Sequence, residues 1–367
     1  MSQAKFTTEE YLAAYEKHGS IDKAGKALGV SRQAIYRAIV KTRNDPAISA
    51  AMNRINTSIV PNLTWVKTKH EDGTAYSVLL KPEQISFDSL VENLEEIFSN
   101  VPPAPEIPEP SSCNSDLLTV YKIADLHIGM RSWNEETGND YDTTIAVDLG
   151  TKGMSECISG SPASETCIIL NLGDMTHADN NQNQTPRSKH ALDVDGRHFK
   201  TLESSVLFLI HTIEMALQKH KYVIVRNQRG NHDEISFMAI TLALYQRYHS
   251  CGRVTIDKSP NEFFVHEFGK NMIAACHGDK GDHRRLVLFF SDEYAQIWGK
   301  TRWRYLYTGH VHKSKGEDIG GMYCESLRAA ALRDAYAHSN GYTGRSQIRA
   351  TTFHIEHGER SRYVVNY

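Results

Sequence analysis

The stretch LLTVYKIAD, residues 117–125, runs from apolar residues directly into an aspartate. Four later segments repeat the pattern and also end on small, acidic or imidazole residues: TCIILNLGD (166–174), YVIVRNQRG (222–230), MIAACHG (272–278) and YLYTGH (305–310). Each reads as a short apolar strand, and helical stretches near 142–158, 197–219, 236–249 and 284–298 separate them. That alternation predicts an α/β domain, layered in the α+β manner, over residues 118–367, with one mixed sheet or two. Runs at 254–268 and 319–367, including ATTFHIEH and RYVVNY, add further strands. No internal repeat at a solenoid period is present.

Moving outward, five of the eleven prolines fall in SNVPPAPEIPEPSS (99–112), which cannot supply a regular ladder and predicts an extended linker. Just before it, QISFDSLVENLEEIF spaces Phe87, Leu90, Val91, Leu94 and Phe98 as one face of an amphipathic helix. Residues 83–117 are therefore a helix plus linker, and residues 1–82 a separate N-terminal region. Residues 1–82 hold 12 basic and 7 acidic side chains, whereas 83–110 hold 7 acidic and none basic, so the basic part is the candidate nucleic-acid binder.

Composition narrows the class. Forty percent apolar and 23% charged residues describe a globular chain. No stretch approaches 18 uncharged apolar residues and the start, MSQAKFTTEE, has no signal-like apolar core, so the expectation is a cytoplasmic protein with no membrane partner. The six cysteines form no CxxC pair, which disfavours a disulfide framework or a cysteine-type zinc site. Eighteen histidines, several clustered with aspartate and glycine, bias the reading toward metal-ligand chemistry.

In the N-terminal region, Thr7 and Glu10 can form a capping box for a first helix, and IDKAGKAL (21–28) reads as a second. Gly29 permits a tight turn and Ser31 can cap a third, SRQAIYRAIVK. Arg32, Gln33, Tyr36, Arg37 and Lys41 are left facing outward on it, suited to base edges and phosphates. AGKALGVSRQAIYRAI resembles the helix-turn-helix of Fis-type bacterial DNA-binding domains. TWVKTKHEDGTAYSVLLKP then reads as a hairpin with a two-residue turn at Asp72-Gly73, a candidate wing.

The five strand-end motifs are IADLHIG, LNLGDMTH, QRGNHDE, AACHGD and TGHVH. The intervals between Asp125, Asp174, Asn231, His277 and His310 each admit a crossover unit, so successive strands can deliver all five to one edge. Carboxylates, imidazoles and one amide suit hard or borderline divalent ions. The ordered set looks like the calcineurin-like metallophosphoesterase family, whose fold is a β-sandwich flanked by helices. That resemblance implies two divalent ions, manganese first and iron, zinc or magnesium as alternatives. Asp125, His127, Asp174 and His312 would hold one ion. Asp174, as the bridge, with Asn231, His277 and His310 would hold the other. It further implies a metal-bridging hydroxide as nucleophile and His232 as the acid, with Asp233 orienting the His232 ring. His177, three residues after Asp174, resembles the SbcD-type nuclease branch and is expected to position the DNA phosphate. Only residues 313–367 follow His312, which departs from that branch and argues against an ATPase partner. A homodimer is compatible with the pattern, and the combination with a helix-turn-helix is one expected in a phage protein.

The leading expectation is thus a two-metal phosphodiesterase that hydrolyses DNA, gripped through residues 1–82. Two alternatives stand beside it: a small-molecule phosphoesterase with a protein-binding N-terminal region, and a DNA-binding regulator with little turnover.

Overall fold

The structure is a computed structural model that describes Phe6, Glu10, residues 13–14, 17–18 and 21–30, the strands at 64–69 and 75–80, and residues 104–367. The chain divides into two compact units, Met1–Leu94 and Glu95–Tyr367.

In the first unit, helix α1 (Ile21–Leu28) matches the second expected helix. Gly29, at φ 63°, ends it. The Gly29 N–H reaches the Lys26 carbonyl at 3.4 Å and the Val30 N–H the Gly25 carbonyl at 3.0 Å, the paired bonds of a Schellman cap that only a left-handed residue allows. Ala24 is fully buried, as a small residue on the packing face should be. Strands β1 (Thr64–Lys69) and β2 (Ala75–Leu80) pair antiparallel, Lys69 opposite Ala75. The paired strands are as expected, and the turn expected at Asp72-Gly73 lies outside the described residues. The third helix, with Arg32, Gln33, Tyr36, Arg37 and Lys41, and the amphipathic segment at 84–98 lie outside the described residues.

In the second unit, residues 104–113 run without regular structure. Ala104 and Ile107 nonetheless pack on the domain core, and Arg253 donates to the Ile107 carbonyl at 2.5 Å. The elements that follow are β3 (Asn114–Ile123), α2 (Asn134–Thr137), α3 (Thr143–Gly160), β4 (Ser164–Asn171), α4 (His198–Leu217), β5 (Tyr222–Asn227), α5 (Ser236–Tyr248) and β6 (Val254–Asp257). The rest of the domain comprises β7 (Phe264–Phe268), β8 (Asn271–Ala275), α6 (His283–Glu293), α7 (Ala295–Lys300), β9 (Trp303–Thr308), β10 (Lys315–Ile319), β11 (Met322–Ser326), α8 (Ala335–Ser339), β12 (Gln347–His354) and β13 (Gly358–Asn366). The helical stretch expected at 284–298 is thus two helices, broken at Tyr294, whose φ and ψ of −112° and 36° are not helical.

Two mixed sheets result. The six-stranded sheet has the order β13-β12-β3-β4-β5-β6, with β3 to β6 parallel and the β12–β13 hairpin antiparallel at one edge. The five-stranded sheet has the order β10-β11-β9-β8-β7, parallel across β8, β9 and β11. Strand periodicity explains why these segments are apolar throughout. On β3 and β4, Leu118, Val120, Ile168 and Leu170 face Ile273, Ala275, Tyr305 and Tyr307 of the other sheet. The intervening Tyr121, Ile123, Cys167 and Ile169 face Phe208, Leu209 and Ile213 of α4. Met272, Ala274 and Leu306 meet Leu286, Val287 and Phe290 of α6 on the far side of the second sheet. The layers are therefore helix, sheet, sheet, helix. Each fully buried Ile, Leu or Phe contributes about 1.5 to 3 kcal/mol. No helix among the described residues is long and apolar enough to cross a membrane.

Candidate active site

All five motifs sit on loops leaving the C-terminal ends of parallel strands. Asp125 and His127 follow β3, Asp174 and His177 follow β4, and Asn231, His232 and Asp233 follow β5. His277 follows β8, while His310 and His312 follow β9. The structure brings these side chains together: Asp125, His127 and His312 form one cluster, and Asp174, His277 and His310 a second, with ligand atoms in each within 4.8 Å of one another. His277 Nε2 lies 2.9 Å from Asn231 Oδ1, so the amide joins the second cluster as expected. A third cluster, His127, His177 and His232, lies beside the first.

The backbone at the site is strained. Of the seven non-glycine residues with positive φ among those described, five are Asp125, His127, Asp174, His310 and His312. Such conformations cost about 1 to 3 kcal/mol each and persist where surrounding contacts impose them. Those contacts are visible. Both Asp125 oxygens accept the His310 N–H, at 3.1 and 3.0 Å, and Asp174 Oδ1 accepts the His232 N–H at 2.8 Å. Close approach also fixes two glycines of the motifs. A Cβ at Gly230 would collide with Asp174 Oδ1, and one at Gly309 would lie 2.7 Å from Asp125 Oδ2. Buried Arg229 forks onto both Asp279 oxygens, at 2.9 and 3.1 Å, tying the β5 loop that carries Asn231 to the β8 loop that carries His277.

Backbone carbonyls settle two tautomers, since a carbonyl only accepts. His277 Nδ1–H donates to Leu172 O at 2.8 Å, which leaves Nε2 aimed at Asp174 and Asn231. His232 Nδ1–H donates to His177 O at 2.8 Å, which leaves its Nε2 free. A fixed tautomer with one free nitrogen is what an imidazole ligand requires, and the same nitrogen can give a proton only once it has taken one up. The His127 ring meets imidazoles on both sides, His177 Nδ1 at 3.3 Å from its Nδ1 and His312 Nε2 at 3.4 Å from its Nε2. With the proton on Nδ1, His127 would donate to His177 and keep Nε2 for the cluster with Asp125.

Electrostatics follow from burial and pairing. Burial by itself would lower the His277 imidazole, but the Asp174 carboxylate beside it raises it to about 10. His312 is likewise raised, by Asp125 against its own burial. In both places a proton sits where a cation could sit. Burial first, and the neighbouring His232 imidazole second, holds His127 well below the usual imidazole range and His177 down to about 3, so both rings are neutral.

Asp233 departs from expectation. It was expected to orient the His232 ring, but that ring is held by the His177 carbonyl. Asp233, fully buried, accepts instead from Gly230 N at 2.6 Å and Met175 N at 2.8 Å, bracing the β4 and β5 loops against each other. The reason is directional, because the Asp233 side chain turns inward under the loop while the His232 ring turns toward the cleft. Burial, with the Asp174 carboxylate behind it, pushes Asp233 up to about 7.

The site opens into a cleft of about 880 Å³ lined by His127, Asp174, His177, Asn231, His232, His310 and His312. Its walls come from residues 185–193 and 329–345. The loop at 179–200 carries cations of its own. Arg187 pairs with Glu234 at 2.8 Å and Lys200 with Asp195 at 3.1 Å, and neither lines the cleft. The cations that do line it are Lys313, Arg333 and Arg345. Asp334, Tyr336 and Tyr342 line it too. The one local signal was the pair of tyrosines in a Gly- and Asn-containing stretch, and nothing there pointed at the metal motifs.

No family model and no curated protein matches the chain. Solved structures do. A predicted phosphoesterase from Streptococcus pneumoniae is 11% identical, with 68% of this chain and 98% of that one covered and a TM-score of 0.28. Vps29 complexed with zinc, from Entamoeba histolytica, is 15% identical with the same coverages and a TM-score of 0.28. A dimetal phosphatase from Danio rerio is 9% identical, with 68% and 99% covered and a TM-score of 0.36. At such identities and scores these likenesses carry no inference about chemistry, which rests on the residues themselves.

Proposed function

We propose that the chain is a two-metal phosphoesterase whose substrate is a phosphodiester in DNA. One observation carries the reading: seven nitrogen and oxygen ligands from five strand ends converge on two adjoining clusters, five of the seven ligand residues at positive φ. The donor set fits divalent cations, and the family resemblance puts manganese first, with iron, zinc or magnesium as alternatives. Asp125, His127, Asp174 and His312 would hold one ion, and Asp174, Asn231, His277 and His310 the other. Two such ions would neutralise charge on a phosphoryl group and acidify a water. The chain's own residues do the rest. His277, fixed through Leu172, and His127, backed by His177, present lone pairs without rotating. His232, held by the His177 carbonyl, keeps Nε2 toward the cleft, where it can give a proton to the departing oxygen. Lys313, Arg333 and Arg345 give an extended polyanion places to bind beyond the reacting phosphate. That favours a diester chain over an isolated monoester. Residues 1–82 would add DNA affinity, and the soluble partner would be DNA itself.

The test is incubation of the purified chain with labelled linear and circular DNA in manganese, beside a nitrophenyl phosphodiester and monoester. Manganese-dependent cleavage of DNA and the diester, abolished by chelator, is expected. Hydrolysis confined to the monoester would overturn the DNA reading. Deleting residues 1–82 should weaken DNA binding while leaving small-diester hydrolysis intact.

A further inference from the structure

One wall of the cleft takes no part in the hydrolysis proposed above. The short helix α8 carries Tyr336 and the turn after it carries Tyr342, their rings edge to face with centroids 6.3 Å apart. Both line the cleft that holds Asp174, His232 and His312. Tyrosine bodies are usually well covered in a folded chain, yet Tyr336 is 67% exposed and Tyr342 45%. They are not loosely held. Asp334 caps the helix by accepting from Ala337 N at 2.8 Å, Tyr342 N donates to Ala337 O at 2.9 Å, and Gly341, at φ 68°, closes the turn onto His338 O. The turn is also fitted to the ligand loop: a Cβ at Gly344 would lie 3.1 Å from the His312 carbonyl.

Cations complete the wall. Lys313, next to the last ligand, places Nζ 5.2 Å from the Tyr342 ring centroid, and Arg345 lines the same cleft. Two pre-positioned aromatic faces beside two cations and a phosphoester site match one kind of ligand group, a flat base joined to a phosphate. A purely apolar occupant would strand the cations, and a bare phosphate would leave the rings in water. We propose that Tyr336 and Tyr342 form a stacking site for an unpaired nucleobase on the nucleotide flanking the scissile phosphate, with Lys313 and Arg345 meeting its backbone. A base inside a duplex already has both faces stacked, so the strand taken here is single or splayed at its end. The flanking position rests on the phosphodiester reading, whereas the stacking site rests on the wall.

The test uses the full chain with manganese and a phosphorothioate single strand carrying the fluorescent base 2-aminopurine. Wild type should quench the fluorescence. The double variant Tyr336→Ala, Tyr342→Ala should bind about tenfold or more weakly, and the corresponding Phe variants should keep wild-type affinity because the stacking face remains. Preference over a matched abasic strand should vanish in the double Ala variant. No quenching by wild type, or equal affinity of wild type and double variant, overturns the stacking site. Cleavage of an ordinary strand is scored in parallel. Cleavage with no effect of the tyrosines overturns this inference alone, whereas tyrosine-dependent quenching without cleavage overturns the hydrolytic reading and leaves the stacking site standing.

Discussion

The floor and the wall of the cleft are built on opposite terms. On the floor, Asp125, His127, Asp174 and His277 are buried, most at positive φ, and cross-braced by bonds between loops 46 to 185 residues apart in sequence. On the wall, Tyr336, Tyr342 and Lys313 are exposed, and the two tyrosines are held mainly by bonds within residues 334–342. The difference teaches where each property resides. Chemistry that needs fixed distances is placed where two sheets dictate the backbone, and recognition is placed where a side chain can change without disturbing a strand.

Substitutions break that contrast in graded ways. The largest effect is expected from Asp174→Asn, which removes the carboxylate proposed to bridge the two ions and should take hydrolysis of every substrate to background. Near-normal turnover with two equivalents of metal still bound would exclude this site. His232→Ala comes next, with metal content kept and rate lowered by about 10² to 10⁴, least for an aryl ester whose leaving group needs little protonation. A loss of the same size on aryl and alkyl esters would remove its role as acid. His177→Ala should act more weakly and on a different quantity. Because its ring backs His127, metal affinity at the Asp125 cluster should drop by about 10- to 100-fold. Calorimetric titration with manganese would read this, and unchanged affinity would show that His127 keeps its tautomer without help.

The smallest expected effect lies below the floor, between the sheets. Lys122 is 1% exposed, bonded to Thr351 Oγ1, with its ammonium 3.9 Å from the Tyr307 ring centroid. Burial lowers it to about 7 from an ordinary value of 10.5. Between those two values the unfolded chain binds the proton that the folded chain has shed, so stability should rise with pH from about 7 to about 10. Lys122→Met should flatten that rise and, at neutral pH, stabilise the domain by about 1 to 4 kcal/mol in urea titrations. A destabilised variant with an unaltered pH profile would mean that the lysine is buried charged.

How much of this was legible depends on distance along the chain. The strands and the clustered residues at their ends were readable because a strand's burial on both faces leaves an unbroken apolar run, and its exit residue is adjacent in sequence. Partners far along the chain were not readable, since no local pattern names them. Asp179 shows the same limit. It caps α5 by accepting from Ser236 N at 2.7 Å, a partner 57 residues away that no local capping pattern could announce.

By itself, then, the sequence determined that five apolar strands end in carboxylates and imidazoles in an order suited to crossover connections, because periodicity and adjacency are local properties of the chain. Only the tertiary structure decided that Asp233 braces two loops instead of a histidine ring, that the His177 carbonyl holds His232, and that Tyr336 and Tyr342 line the same cleft as the cluster. Each of those outcomes is the direction of one side chain relative to a segment far along the chain, and that direction is set by how two sheets pack, which no stretch of sequence encodes alone.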